Sequence, residues 1–174
     1  MKKRFFLALI VVLGLAASSF IHAPTSPEIP TPETIPLFAV VRIIDGDTIV
    51  VDKNGSEETV RLLGIDTPEV DPDRGGPECY GKEASEKTTN LLLGQSISLE
   101  TDPTQDERDR YNRMLAYVSL SDGTLINKLL VEGGFAKEYT YDKPYTYQAD
   151  FKAAEANAKK ATRGLWSKET CPTR

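Results

Sequence analysis

The hydrophobic pattern divides the chain into three stretches. Residues 5–15 are almost wholly apolar, follow the basic Lys2, Lys3 and Arg4, and give way to small residues at 16–19 and at Ala23. A basic flank, an apolar run and a small-residue site read as an export signal ending near residue 23. An uncleaved membrane anchor is the alternative, because residues 5–21 come close to the length that spans a bilayer. In residues 24–36, Pro24, Pro27, Pro30, Pro32 and Pro36 rule out a helix or a central strand, so an extended linker is expected there.

From residue 37 the pattern is that of a folded domain. FAVVRII and TIVVD are β-branched runs separated by Asp45-Gly46, which predicts a tight hairpin with positive φ at both turn positions. TVRLLGI is a third strand, and Pro68, Pro72, Gly75, Gly76 and Pro77 mark a loop. Residues 80–94 put Tyr80, Ala84, Thr88, Leu91 and Leu92 on one helical face, with Gly94 suited to the C-terminal cap. SISLETD and MLAYVSL predict two more strands around the charged segment 103–112. TLINKLLVEGG reads as a short helix with Thr124 as N-cap. A last helix over 147–163 carries the stripe Phe151, Ala154, Ala158, Ala161 and Leu165, and Trp166 is expected to pack as a core anchor. Strands this short and apolar on both faces favour a closed barrel over an open sheet. The expectation is an α+β domain over residues 37–171: a five-stranded OB-fold β-barrel with three packed α-helices.

Charge and rare residues narrow the chemistry. Loss of residues 1–23 would remove His22, the only histidine, and three of the 21 basic residues but none of the 26 acidic ones, leaving a net charge of −8. Without histidine, an imidazole base and a His-ligated zinc site are excluded. Carboxylates, carbonyls and hydroxyls remain, and these suit hard cations such as calcium or magnesium. Outside the cytoplasm, the two cysteines Cys79 and Cys171 favour a disulfide, with two unrelated thiols as the alternative.

Four segments carry candidate chemistry. In IDGDTIVV, Asp45 is accounted for by the turn, whereas Asp47 at a strand start is not explained by propensity. In VRLLGIDTPE, Arg61 interrupts an apolar strand, and Asp66, Thr67 and Glu69 sit where a loop stiffened by Pro68 begins. Arg61 and Asp66, five apart, would face opposite ways in a regular strand, so either a bulge at Gly64 or an early loop must bring them together. In DRYNRMLAYV, Arg113 opens a strand, while Asp106, Glu107, Arg108 and Arg110 read as solvated loop charges. In YTYDKPYTY, Tyr139, Tyr141, Tyr145 and Tyr147 crowd a loop with Lys137 and Lys143, as suits either base stacking or loop packing.

In order and at compatible spacing, IDGDT, VRLLGIDTPE, CYGKEAS, DRYNRMLAYV, INKLL and the closing GLW closely resemble the staphylococcal nuclease family, from about Phe38 to Trp166. The resemblance implies an OB-fold enzyme that hydrolyses DNA and RNA with calcium, leaving 5′-hydroxyl and 3′-phosphate ends. By the same resemblance, Asp47, Asp66 and the Thr67 carbonyl bind the metal, and Glu69 lies beside the attacking water. Arg61 and Arg113 clamp the phosphate, and Tyr111 lies near the nucleotide. Tyr139 and Tyr141 fall where the family has nucleotide-contacting tyrosines, with different spacing. Asn112 stands where the family often has glycine, and Gly64 replaces a bulkier residue. A nucleic acid substrate and a monomer are expected. The rival readings are a catalytically silent OB-fold scaffold that binds nucleic acid or envelope partners, and a calcium-binding structural domain that would leave Arg61 and Arg113 without a task.

Overall fold

The computed structural model describes residues 35–71, 73 and 76–172. The signal and most of the linker expected from the sequence lie outside them. The elements run β1 (Phe38–Ile43), β2 (Thr48–Lys53), β3 (Ser56–Leu62), β4 (Ile65–Asp66), α1 (Gly81–Leu92), β5 (Ser96–Glu100), β6 (Met114–Leu120), α2 (Ile126–Glu132), β7 (Lys137–Glu138) and α3 (Gln148–Lys160). A 3-10 turn, Gly164–Trp166, follows.

Five strands close a barrel in the order β1-β2-β3-β6-β5, and the expected three helices pack on it. All pairs are antiparallel except β3 with β6, which is parallel. Closure explains why the strands lack simple alternation: in β2, Thr48, Ile49, Val50 and Val51 are all buried. The core joins Ile49, Val51, Val60, Leu62, Ile97 and Val118 of the barrel to Ile126 and Leu130 of α2 and Phe151 of α3. Each such side chain, fully buried, contributes about 1.5–3 kcal/mol.

Several local expectations are corrected. Neither Asp45 nor Gly46 has positive φ; the left-handed pair is Asn54 (φ 59) and Gly55 (φ 85), which turns β2 into β3. Gly46 is needed for space, because a Cβ there would lie 2.7 Å from Thr67 Oγ1. Thr124 is not the cap of α2; Leu125 holds that position without a side-chain cap, and Thr124 donates its N–H to Asp122 Oδ1 in the preceding turn. Tyr80 precedes α1 in a left-handed conformation. The final helix stops at Lys160, so Leu165 lies outside it. Trp166 is only half-buried, with Lys159 Nζ 4.3 Å from its ring centroid, and is not a core anchor. The short pair β4–β7 had no sequence signal.

Cys79 and Cys171 form the disulfide, with Cα atoms 5.7 Å apart, and tie the C-terminal segment to the start of α1. Two buried polar side chains fix the loops that approach the barrel. Asn127 of α2 accepts the Val118 N–H and donates to the Leu63 carbonyl. Asp102, after β5, accepts bonds from Tyr117 Oη (2.6 Å), the Thr146 N–H (2.7 Å), the Thr104 N–H (2.8 Å) and Thr104 Oγ1 (2.7 Å). Burial works to raise the Asp102 carboxyl, but these donors outweigh it and hold it well below the usual carboxylate range.

A depressed folded-state pKa gives stability that is present above the unfolded value, near 3.8, and is lost as pH falls through the folded value below it. Asp102→Asn should therefore cost about 2–3 kcal/mol near neutral pH, because the amide cannot accept all four donors. In urea unfolding curves the gap to wild type should close as pH falls below the carboxylate range. A gap that does not change with pH would contradict this role.

Candidate active site

The strand register brings the sequence-separated candidates together. Thr48 of β2 lies opposite Arg61 of β3, and Arg61 lies opposite Leu115 of β6, two residues past Arg113. The first strand–strand connection, the end of β3 and the start of β6 therefore meet in one place.

Asp47 sits at the centre, 5% exposed. Its Oδ2 accepts the Thr67 N–H at 2.9 Å and pairs with Arg61 Nη2 at 3.0 Å. Its Oδ1 accepts the Thr48 hydroxyl at 3.1 Å. Arg61 Nη2 also meets Asp66 Oδ1 at 3.1 Å, so one nitrogen joins two carboxylates. Gly64 makes this possible. With φ 79 it turns the chain between β3 and β4, and Arg61 Nη1 donates across the turn to the carbonyls of Leu62 and Ile65. A Cβ at Gly64 would lie 2.7 Å from the Tyr145 ring, so a side chain is excluded there. The distance in sequence between Arg61 and Asp66 is thus closed by a turn and a second short strand, not by a bulge.

Arg113 reaches the same network from the other side. Its Nε donates to Asp109 Oδ2 at 2.7 Å, its Nη2 pairs with the same oxygen at 2.6 Å, and its Nη1 reaches Thr48 Oγ1 at 3.4 Å. Asn112 takes the left-handed conformation (φ 63) that glycine would adopt freely. Asp109 also accepts the N–H groups of Tyr111 and Arg113. Burial opposes ionisation of Asp109, but these bonds prevail and lower its pKa. Arg108 is exposed, as expected, but it also forms a two-pronged pair with Glu58 and donates to the Asn112 carbonyl, bracing the loop.

The other candidates separate. Glu69 follows three residues after Asp66; its N–H bonds Glu78 Oε2, its carbonyl accepts the Glu78 N–H, and Gly81 packs against that carbonyl. Tyr111 is 64% exposed, with the Arg110 and Arg113 guanidiniums 4.7 and 5.4 Å from its ring centroid. Tyr139 and Tyr141 are exposed, and the Tyr139 N–H binds the Gly64 carbonyl at the edge of the site. Tyr145 is a buried packing residue, and Tyr147 is half-buried against Tyr117 and Phe151. Sequence reasoning missed Thr48, Asp109 and Thr88. Thr88 is fully buried in α1, and its hydroxyl donates to the Gly46 carbonyl at 2.6 Å, holding the segment between Asp45 and Asp47. Its place on the predicted inner face of that helix was the available signal.

Asp45, set aside as a turn residue, is 6% exposed, and its Oδ1 accepts the Asp47 N–H. Burial, then the Asp47 charge, raises its pKa to about 6. Partial burial and the same neighbour push Asp66 up, against the pull of Arg61 and Lys137. Neighbouring carboxylates that resist ionisation together fit a hard cation. Among the described residues no three His, Cys, Asp or Glu side chains are gathered into a metal-holding group. Asp47 and Asp66, both joined to Arg61, are the two acids the structure brings together here.

Fold and site together define an OB-type barrel that carries a carboxylate–arginine network over three adjoining strands. Residues 59–168 match the family model described as staphylococcal nuclease homologue, and the chain belongs to that family. It is 41% identical over 130 residues to the thermonuclease of Staphylococcus hyicus, covering 75% of each chain. It is 38% identical over 131 residues to the thermonuclease of Staphylococcus intermedius, covering 75% of this chain and 76% of that one. It is 39% identical over 128 residues to the endonuclease YncB of Bacillus subtilis (strain 168), covering 73% of this chain and 60% of that protein.

The raised Asp45 pKa sets a pH dependence. A group whose folded pKa lies above its unfolded value, 3.8, contributes stability below 3.8 that is lost as pH rises through about 6. Asp45→Asn keeps an oxygen for the Asp47 N–H and removes that loss. In chelator, the variant should gain stability over wild type as pH rises from 4 to 8, read by denaturant midpoints. A constant or shrinking difference would contradict the assignment.

Proposed function

We propose that the chain is a nuclease that hydrolyses phosphodiester bonds of DNA, RNA or both, with calcium as its resident cation, leaving 5′-hydroxyl and 3′-phosphate ends. The observation that carries this reading is the network Arg113–Thr48–Asp47–Arg61–Asp66, which sets two guanidiniums around a buried acid, Asp47, and a half-exposed one, Asp66. The nuclease activity of its relatives, two thermonucleases and an endonuclease by name, supports this reading. A pure binding module would have no use for two acids beside a phosphate-seeking arginine pair.

Asp47, Asp66 and the Thr67 carbonyl would hold the cation, whose charge would favour the more negative phosphoryl group of the transition state. Arg61 and Arg113 supply forked donors to the same oxygens, and guanidinium remains charged at any working pH. Asp109 keeps Arg113 at the site. Glu69 orients the water whose oxygen bonds to phosphorus; the bond to the 5′ oxygen breaks, and that oxygen leaves as a hydroxyl. A carboxylate is a weak base, so orientation is at least as important as proton removal. Tyr111, Tyr139 and Tyr141 are exposed around this place and are proposed to contact the nucleotide. We further read the chain as an exported monomer.

The purified protein should cut denatured DNA and RNA with calcium and should be inactive in chelator, with end mapping showing 3′-phosphates. Glu69→Gln should lower kcat about 10²–10⁴-fold while the unfolding midpoint stays near wild type. Robust cleavage in chelator would remove the cation from the account. A lack of cleavage with any divalent cation would favour the scaffold reading.

A further inference from the structure

Tyr80 connects the site to a second feature. The Glu69 carbonyl packs on Gly81, and the neighbouring Tyr80 stacks its ring on Phe135, with centroids 5.5 Å apart. Phe135 lines an open hollow of about 360 Å³ together with Lys87, Leu129, Glu132, Gly133 and Arg163. The hollow therefore borders α1, α2 and the segment after α3. Leu129 and Phe135 make part of its lining apolar and aromatic, and two cations share it. Lys87 Nζ lies 5.7 Å from the Phe135 ring centroid. Arg163 Nη1 donates to the Glu132 carbonyl, and the Arg163 main chain is pressed against Gly134, where a Cβ would lie 2.4 Å from the Arg163 carbonyl oxygen.

Arg42, Arg61, Arg108 and Arg113 each hold a carboxylate, whereas among the described residues Lys87 and Arg163 hold none. Among the described residues the one acid on the rim, Glu132, faces Lys128 at 3.7 Å. Two uncompensated cations beside an aromatic floor, in a chain of formal net charge −5, form a local site for an anion that also carries apolar rings. A single-stranded nucleic acid has that chemistry: phosphates for Lys87 and Arg163, and sugars and bases for Phe135 and Leu129.

We propose that this hollow is a second contact point for a single-stranded substrate, with Lys87 and Arg163 meeting phosphates outside the segment held at Arg61 and Arg113. The proposal rests on the nuclease reading for its ligand. Such a contact strengthens binding of long strands and leaves dinucleotides unaffected.

The test uses the full chain, the double variant Lys87→Gln/Arg163→Gln, and the control Lys53→Gln/Lys152→Gln, which removes the same charge away from the hollow. Binding of a fluorescent thymidine strand of about 20 nucleotides is followed in chelator across a salt series. The hollow variant should bind about tenfold more weakly. Its slope of log affinity against log salt should be shallower by about 1.4, from about 0.7 per lost phosphate contact on a single strand. The control should stay within about twofold of wild type, and with calcium the hollow variant should cleave a dinucleotide at the wild-type rate. Equal weakening by the control, an unchanged slope, or equal loss on the dinucleotide would overturn the proposal. Because binding is read without turnover, strand binding that depends on Lys87 and Arg163 in a chain that never cleaves would overturn only the nuclease reading.

Discussion

The buried carboxylate of Asp47 is the point on which the site depends. Both of its oxygens are engaged, by the Thr67 N–H and Arg61 on one side and the Thr48 hydroxyl on the other. Thr48 passes the connection to Arg113, and Arg61 passes it to Asp66. The barrel makes this possible, because Thr48, Arg61 and Leu115 are neighbours in register across β2, β3 and β6. Breaking a buried pair by removing one partner costs about 3–5 kcal/mol, since the other charge is left without compensation. The interaction that stabilises this part of the barrel is therefore also the one that aims the arginines.

The network gathers more negative charge than Arg61 alone balances. Asp45 and Asp66 both show it, each held toward its protonated form by burial and by Asp47. A polyanion would be held only weakly at such a cluster without a cation. Under the proposed function, a hard cation and two guanidiniums reverse the local sign, which reconciles an acidic chain with a nucleic acid substrate. The braces beyond the first contacts have the same logic: Asp109 holds Arg113, Arg108 with Glu58 holds the loop, and Thr88 holds the Gly46 carbonyl from below.

Much of this was legible in the chain, and the exceptions have physical causes. The β-branched runs and helical stripes located the barrel strands and helices because both follow from side-chain periodicity. Asp45-Gly46 misled because turn propensity does not distinguish a glycine needed for positive φ from one needed to admit Thr67; Asn54-Gly55 was the left-handed turn. Asp45 was dismissed for the same reason. The convergence of Arg61 with Asp66 could not be read from strand alternation, since it rests on Gly64 and on pairing of β4 with β7, which lies 71 residues further on in register. Thr48 and Arg108 act through tertiary contacts that no local pattern records, whereas Asp109 acts on Arg113 four residues on, a spacing the chain did display. Trp166 looked like a core residue by type, yet it sits in a half-buried turn beneath Lys159.

The central claim is that Arg61 and Arg113 act on one phosphate from a single network centred on Asp47. A double-mutant cycle tests it most directly: kcat on a single-stranded substrate for Arg61→Ala, Arg113→Ala and the double variant, with unfolding midpoints measured in parallel. The account predicts strong non-additivity, the double variant losing little more than the worse single variant. Fully additive losses, with both single variants folded, would mean that the arginines work independently and would contradict it.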